Sequence, residues 1–323
     1  MIDLRQIVAE AVLDGADVRV RLAQAGVPVP QIAELARQAE ADPIVMAARR
    51  LHRRVEKRDW TLGLHARLAK VGSDGLTIPR VHAIEPDEFF RTYYAANRPV
   101  VLTGLVDHWP ALAKWSLDYL DQTVGHAVVE VQAERTSAAD YEQAKDRHKR
   151  TTPLRNITAA MRQVEASNDF YLTAYNDTRN KAALAPLWAD LGPISVLQAS
   201  GGQDGFFWLG PKGTLTPFHH DLTNNLLVQV MGRKRCLLVP SWEVARMRNT
   251  VHCFSARSPA DWDRDDPALP PLLECTIGPG DALFLPIGWW HHVEALDHSI
   301  SMSFTNFAAD NAFYEDYPAD TRF

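Results

Sequence analysis

Thr216-Pro217-Phe218-His219-His220-Asp221 is the stretch of this 323-residue chain best suited to hold a metal. His219 and Asp221 are two positions apart. On a β-strand such residues share a face, so an imidazole and a carboxylate would project into the same space. His291, after Trp289-Trp290, offers a third donor. Two histidines and one carboxylate on one side of a metal suit non-haem Fe(II), with positions left open for a co-substrate and O2. An HxD triplet alone is weak, and His292-Val293-Glu294 has a similar shape. The surrounding elements raise its weight.

His219 and Asp221 precede a strand–turn–strand stretch, Leu226 to Val239, that turns at Met231-Gly232-Arg233-Lys234. It reads as a hairpin that returns Lys234 beside the His219 strand. Pointing inward, Lys234 is a costly buried cation unless paired, and a dicarboxylate would pair it. Pointing outward, it is a turn lysine in solution beside Arg233 and Arg235. His291 follows the turn Gly278-Pro279-Gly280-Asp281 and the apolar run Ala282 to Pro286. In a barrel of paired strands, residues this far apart can converge on one interior point.

The remaining pattern agrees with such a core. Short apolar runs at Phe170 to Ala174, Gly205 to Leu209, Leu272 to Ile277 and Ser299 to Phe304 alternate with turns. They predict an all-β barrel or double-sheet jelly roll. Pro99 to Gly104 and His126 to Ala133 read as strands, Glu85 to Asn97 as a helix, and Ser241 to Asn249 as a helical insertion. Arg135 to Thr152 is polar and reads as a mobile surface loop, or alternatively as a lid or substrate-contact loop.

Residues 1–72 read as three helices. Leu4, Ile7, Val8, Ala11 and Val12 share one face; Ile32, Leu35, Ala36 and Ala39 share another; Ile44, Ala47, Ala48, Leu51 and Val55 a third. The last helix carries Arg49, Arg50, Arg53, Arg54, Lys57 and Arg58, either a solvated basic face or a docking surface for an acidic partner or peptide. Gly72-Ser73-Asp74-Gly75 reads as a linker, which sets domains at 1–72 and 78–323.

Composition narrows the class. The chain is 46% hydrophobic and 23% charged, ordinary for a globular protein. A net charge of −6 weighs against non-specific nucleic-acid binding. No apolar run reaches the roughly 18 residues of a membrane span. The N-terminus lacks a secretion-signal pattern. Cys236, Cys253 and Cys275 show no CxxC spacing. Reduced thiols in a cytoplasmic protein are the simplest expectation.

In combination these motifs resemble the JmjC, or cupin-like, Fe(II)- and 2-oxoglutarate-dependent oxygenases, and among them the protein hydroxylases such as the asparaginyl hydroxylase of hypoxia-inducible factor. The likeness runs from Asn97-Arg98-Pro99 to Gly104, Trp109-Pro110 and Trp115, through Thr216 to Asp221, Asn225, Gln229, Gly232 and Lys234-Arg235, to Pro279-Gly280-Asp281, Trp289 to His292 and Asn306. It covers roughly residues 78–307. It implies a mainly β, double-stranded β-helix core with flanking helices. It implies iron ligands at His219, Asp221 and His291, with His220 and His292 as bystanders. Lys234 would bind the far carboxylate of 2-oxoglutarate, and Thr216, Asn225, Tyr171 and Asn306 match polar positions around that co-substrate. Thr173 and Ala174 depart from the hydroxylase pattern, so substrate contacts do not transfer there. Trp208, Trp289 and Trp290 could wall the pocket, or simply pack.

The activity implied is hydroxylation of a protein or peptide side chain, coupled to decarboxylation of 2-oxoglutarate to succinate and CO2. N-methyl demethylation, a small-molecule biosynthetic hydroxylase and a non-enzymatic cupin-like sensor are the alternatives. Residues 1–72 are expected to make or support a homodimer.

Overall fold

The computed structural model describes residues 3–71, 76–174, 177–263, 266, 268–315 and 317–318. The chain divides into two compact units, Met1–Gly75 and Leu76–Phe323. The expected linker Gly72 to Gly75 lies outside the described residues.

The N-terminal unit contains α1 (Leu4–Leu13), α2 (Val18–Gln24), α3 (Val29–Ala41) and α4 (Pro43–Val71). Asp3 caps α1 by accepting from the Arg5 and Gln6 amides, and Asp17 caps α2 through the Arg19 amide. Val8, Val12, Leu22, Ile32, Ala39 and Val45 form a small core. Helix α2 escapes a periodicity reading because it is seven residues long and buries only Leu22. On α4, Arg50, Arg53, Arg54, Lys57 and Arg58 are exposed.

Among the described residues the second unit is built on fourteen strands: β1 (Arg80–His82), β2 (Val100–Thr103), β3 (Val128–Gln132), β4 (Lys149–Pro153), β5 (Phe206–Gly210), β6 (Leu215–His220), β7 (Asn225–Met231), β8 (Lys234–Val239), β9 (Asn249–Val251), β10 (Phe254–Ser255), β11 (Leu273–Ile277), β12 (Ala282–Leu285), β13 (Trp290–Ala295) and β14 (Ser299–Phe304). One six-stranded sheet runs β1-β2-β12-β7-β14-β5; a second runs β11-β8-β13-β6-β10-β9; β3 and β4 form a separate ribbon. The two large sheets make the jelly-roll, cupin-type core. Strands β12 and β14, buried at every position, flank β7 in the first sheet. A large apolar cluster lies along that sheet and includes Phe89, Trp109, Val228, Phe284 and Met302. Among the described residues no helix is long and apolar enough to cross a membrane.

Four expectations change. The turn at Gly232 does not close a hairpin. Strand β7 pairs with β12 and β14, whereas β8 pairs with β11 and β13, so Met231 to Lys234 carries the chain from one sheet to the other. Lys234 is therefore not beside the His219 strand; β13 lies between β8 and β6. Ser241 to Asn249 is a single 3-10 turn, Ser241–Glu243, followed by turns into β9, not a helix. Phe170 to Ala174 makes only single bridges, Tyr171 to Gln132 and Leu172 to Leu209. The segment 135–152 is not a free surface loop: Arg135, Glu142 and His148 are buried in it, and its end is strand β4. An ion pair between Arg135 and Glu142 at 2.6 Å is what allows charged residues inside.

Candidate metal centre

Strands β6 and β13 are antiparallel neighbours, and His219 lies directly opposite His291 in their ladder. The two rings stand 4.2 Å apart between centroids. Asp221 follows the last residue of β6. Its carboxylate lies 3.6 Å from His219 Nε2 and 3.9 Å from His291 Nε2. One donor atom from each of the three falls within 4.8 Å of the others.

The backbone prepares both rings. His219 Nδ1 donates to the Pro217 carbonyl at 2.9 Å, and His291 Nδ1 donates to the Trp289 carbonyl at 3.0 Å. Each Nδ1 is thus engaged by backbone and each Nε2 is turned toward Asp221, the outer-sphere arrangement metal-binding histidines need. Asn225 Nδ2 donates to Asp221 Oδ2 at 3.0 Å and orients the carboxylate. Burial, aided by the His291 imidazole, pushes His219 down from 6.5 to about 4, so it is neutral at pH 7. Burial alone would raise Asp221, but the imidazoles of His291 and His219 and the Asn225 amide outweigh it and hold the carboxyl below its ordinary value. Two imidazoles with Nε2 turned to one point, beside an ionised carboxylate, are the donor set that Fe(II) takes.

The triad opens onto a cavity of about 190 Å³ lined from both sheets. Thr216, His219, Lys234, His291 and Val293 come from one sheet; Phe206, Trp208, Asn225, Leu227, Leu285 and Ser303 come from the other. Thr216 and His219 have opposite parity on one strand, yet both line it. The reason is an irregularity in the β6–β13 ladder: His291 pairs with His219 but Val293 pairs with Thr216, so β6 carries one extra residue there. A bulge of this kind re-aims side chains. It falls at Pro217-Phe218, where a proline, having no N–H to donate, fits an interrupted ladder. Phe218 turns to the opposite side, against Trp262 and His292.

Lys234 is 2% exposed and points inward. Its Nζ donates to the Tyr171 hydroxyl at 2.9 Å. Among the described residues no carboxylate lies within ion-pair distance of it. Tyr171 also lines the cavity, as does Trp208, whose indole N–H donates to Ser303 Oγ at 2.8 Å.

Other candidates fall elsewhere. Asn306 does not line the cavity; its side chain donates to the Gln198 carbonyl at 2.7 Å. Alternation along the chain turns Ser303 and Thr305 inward in its place. Gln229 braces the sheet crossing by donating to the Met231 and Gly232 carbonyls. Trp289 packs between the sheets and donates to Asn97, and Trp290 packs on the far side of β13. His220 meets Trp290 and Tyr317, and His292 meets Phe218. Sequence reasoning missed Glu142, Ser303 and Thr305. Nothing in a polar segment marks Glu142, but the alternation of Ser299 to Thr305 could have suggested the other two.

A double-sheet β core with two histidines and a carboxylate lining its internal cavity defines the cupin-like class. The chain belongs to that family: residues 86–312 match the family described as "Cupin-like domain". It is similar to "Lysine-specific demethylase JMJ30" of Arabidopsis thaliana, 31% identical over 71% of this chain and 55% of that protein. It is 31% identical to "Jumonji C domain-containing protein 5" of Drosophila melanogaster, over 70% of this chain and 59% of the other. It is 29% identical to "Bifunctional peptidase and (3S)-lysyl hydroxylase JMJD7" of Homo sapiens, over 68% of this chain and 80% of the other. The chain thus spans little more than half the length of the first two relatives. Beside these relatives, the asparaginyl hydroxylase is only a loose comparison.

Proposed function

We propose that this chain is an Fe(II)- and 2-oxoglutarate-dependent dioxygenase that hydroxylates a side chain of a protein or peptide, releasing succinate and CO2. The observation that carries the reading is Lys234. A buried lysine whose Nζ has a tyrosine hydroxyl and no described carboxylate beside it is costly, and a dicarboxylate in the same cavity as the triad would repay that cost.

His219, Asp221 and His291 would hold Fe(II). When bound, iron and 2-oxoglutarate supply the oxidising chemistry that makes O2 competent to attack a C–H bond. The chain's own residues bind, orient and exclude water. Lys234 and the Tyr171 hydroxyl receive the far carboxylate of 2-oxoglutarate. Thr216 adds a hydroxyl to that pocket. Asn225 fixes the Asp221 carboxylate and faces the same space. Leu227, Leu285 and Val293 keep the walls apolar, which strengthens each polar contact made between them.

A demethylase reading has support from the printed names of two relatives, lysine-specific and arginine-specific demethylases of Arabidopsis thaliana. Hydroxylation of an N-methyl group uses the same centre and releases formaldehyde. Succinate formation from 2-oxoglutarate with Fe(II), ascorbate and candidate peptides tests the activity. A gain of one oxygen on the peptide supports hydroxylation, and formaldehyde release supports demethylation. Failure to bind either iron or 2-oxoglutarate would overturn the reading in favour of a cupin-like binding module.

Residues 1–72 form the proposed dimerisation region of a cytoplasmic homodimer. The exposed apolar side chains Leu13, Val20, Leu51, Trp60 and Leu68 support this. Light scattering on the full chain and on a deletion of 1–72 tests it; a monomer in both cases removes the idea.

A further inference from the structure

The guanidinium of Arg135 is wholly buried and does not touch the triad. It sits where the 135–142 segment meets the start of β6. One nitrogen donates to Glu142 Oε1 at 2.6 Å and to the Leu215 carbonyl at 2.7 Å; another donates to Asn168 Oδ1 at 2.9 Å. The same Asn168 oxygen accepts from the Leu215 amide at 2.9 Å. Both polar groups of the Leu215 backbone are thus held from outside the sheet. The ladder explains the need. On one side β6 pairs with β13 along its length, but on the other β10 reaches it only at His219. Among the described residues no strand covers that edge at Leu215, and Arg135 with Asn168 takes the strand's place.

Arg135 also lies over two rings. Its central carbon is 4.4 Å from the Tyr141 ring centroid and 5.2 Å from that of Tyr171. Tyr171 is the residue that accepts from Lys234. One group therefore fixes Tyr171 from one side and, through Leu215, the strand that leads into Thr216 and His219 from the other. Glu142 neutralises the guanidinium, which leaves Lys234, among the described residues lining the cavity, as the lysine or arginine available to an anionic ligand.

We infer that Arg135 is a positioning residue for the co-substrate pocket, setting 2-oxoglutarate affinity through Tyr171 and the Leu215–Thr216 backbone. This rests on the proposed roles of Tyr171 and Lys234. A guanidinium fits because the three acceptors are reached from two separate nitrogens while the central carbon lies over the rings; a lysine has one nitrogen for all of them.

The test uses the full chain loaded with Mn(II), titrated with 2-oxoglutarate by calorimetry. Arg135→Lys is expected to raise the 2-oxoglutarate Kd by about 10-fold while Mn(II) affinity stays within about 2-fold. In a Tyr171→Phe background the same change should have less than half that effect on a logarithmic scale, because part of its route is gone. Unchanged 2-oxoglutarate affinity, a parallel loss of metal and co-substrate, or strict additivity with Tyr171→Phe would each overturn the inference. If Arg135→Lys does not fold, Asn168→Ala removes one arm of the clamp and is read in the same way. Wild-type protein that binds Mn(II) but no 2-oxoglutarate would sink the oxygenase reading itself. Tight wild-type binding that Arg135→Lys leaves untouched would sink only the role of Arg135.

Discussion

His291 stands directly across the β13–β6 ladder from His219, and both rings are locked through Nδ1 to carbonyls two residues earlier in their own strands. The pairing makes the placing of the two candidate histidine ligands a property of the sheet. Substitution of either histidine should therefore remove the metal and leave the fold. His219→Ala and His291→Ala are each expected to lower bound Fe(II) or Mn(II) by at least about 10-fold, measured as metal per chain after desalting. His220→Asn should retain it, since His220 packs toward Trp290 and Tyr317.

Lys234 should act in opposite directions on stability and on binding. Lys234→Met removes a buried cation that has no carboxylate partner among the described residues. It is expected to raise ligand-free stability by on the order of 1 kcal/mol. The same change should weaken 2-oxoglutarate binding by about 10-fold or more, with metal affinity nearly unchanged. Denaturant melts and calorimetric titration check the two halves. A variant that binds 2-oxoglutarate as tightly as wild type would show the clamp to be misassigned.

Acid should destabilise the metal-free protein over a defined window. Burial holds His219 and His292 down from 6.5 to about 4. Above pH 6.5 both are neutral whether folded or unfolded, so they cost nothing. As pH falls from 6.5 toward 4, the unfolded chain takes up protons that the folded chain refuses, and stability drops by up to about 1.4 kcal/mol per pH unit for each group. Below about 4 the loss levels off for these two groups. Thermal midpoints from pH 8 to 4 measure it. His292→Gln should flatten part of the slope without releasing metal.

Gly232 marks the sheet crossing that delivers Lys234. Its φ is +73°, and a Cβ there would collide with the His298 carbonyl oxygen. Gly232→Ala should destabilise the chain by on the order of 1–3 kcal/mol. Because the strain lies two residues from Lys234, 2-oxoglutarate affinity should fall as well. A circular-dichroism melt with a parallel titration separates the two effects.

How far the site could be read in advance depended on range along the chain. Local features carried through to the structure: the apolar faces of α1 and α3, the short runs that became β5, β7, β12 and β14, and the two-residue spacing of His219 and Asp221. Each depends on neighbours a few residues away, and backbone periodicity translates directly into which face a side chain takes. Lys234 was open between inside and outside, because one lysine after a glycine turn satisfies either arrangement.

Pairing partners decided the rest. The bulge at Pro217-Phe218 that turns both Thr216 and His219 inward exists only against β13. The crossing at Gly232 became visible only when β7 and β8 were found in different sheets. Asn306 is on the wrong face by a single position, with Thr305 taking the cavity side. Arg135 and Glu142, two charges in a polar stretch, gave no local sign of burial, because their cost is offset by partners as distant as Asn168 and Leu215. The sequence by itself determined the class of core, through short apolar runs between turns, and named His219, Asp221 and His291 as candidate metal ligands through residue type, spacing and likeness to the cupin-like oxygenases. Tertiary structure alone decided the shape and polarity of the pocket, because register, sheet assignment and buried charge pairing are settled between residues far apart in the chain.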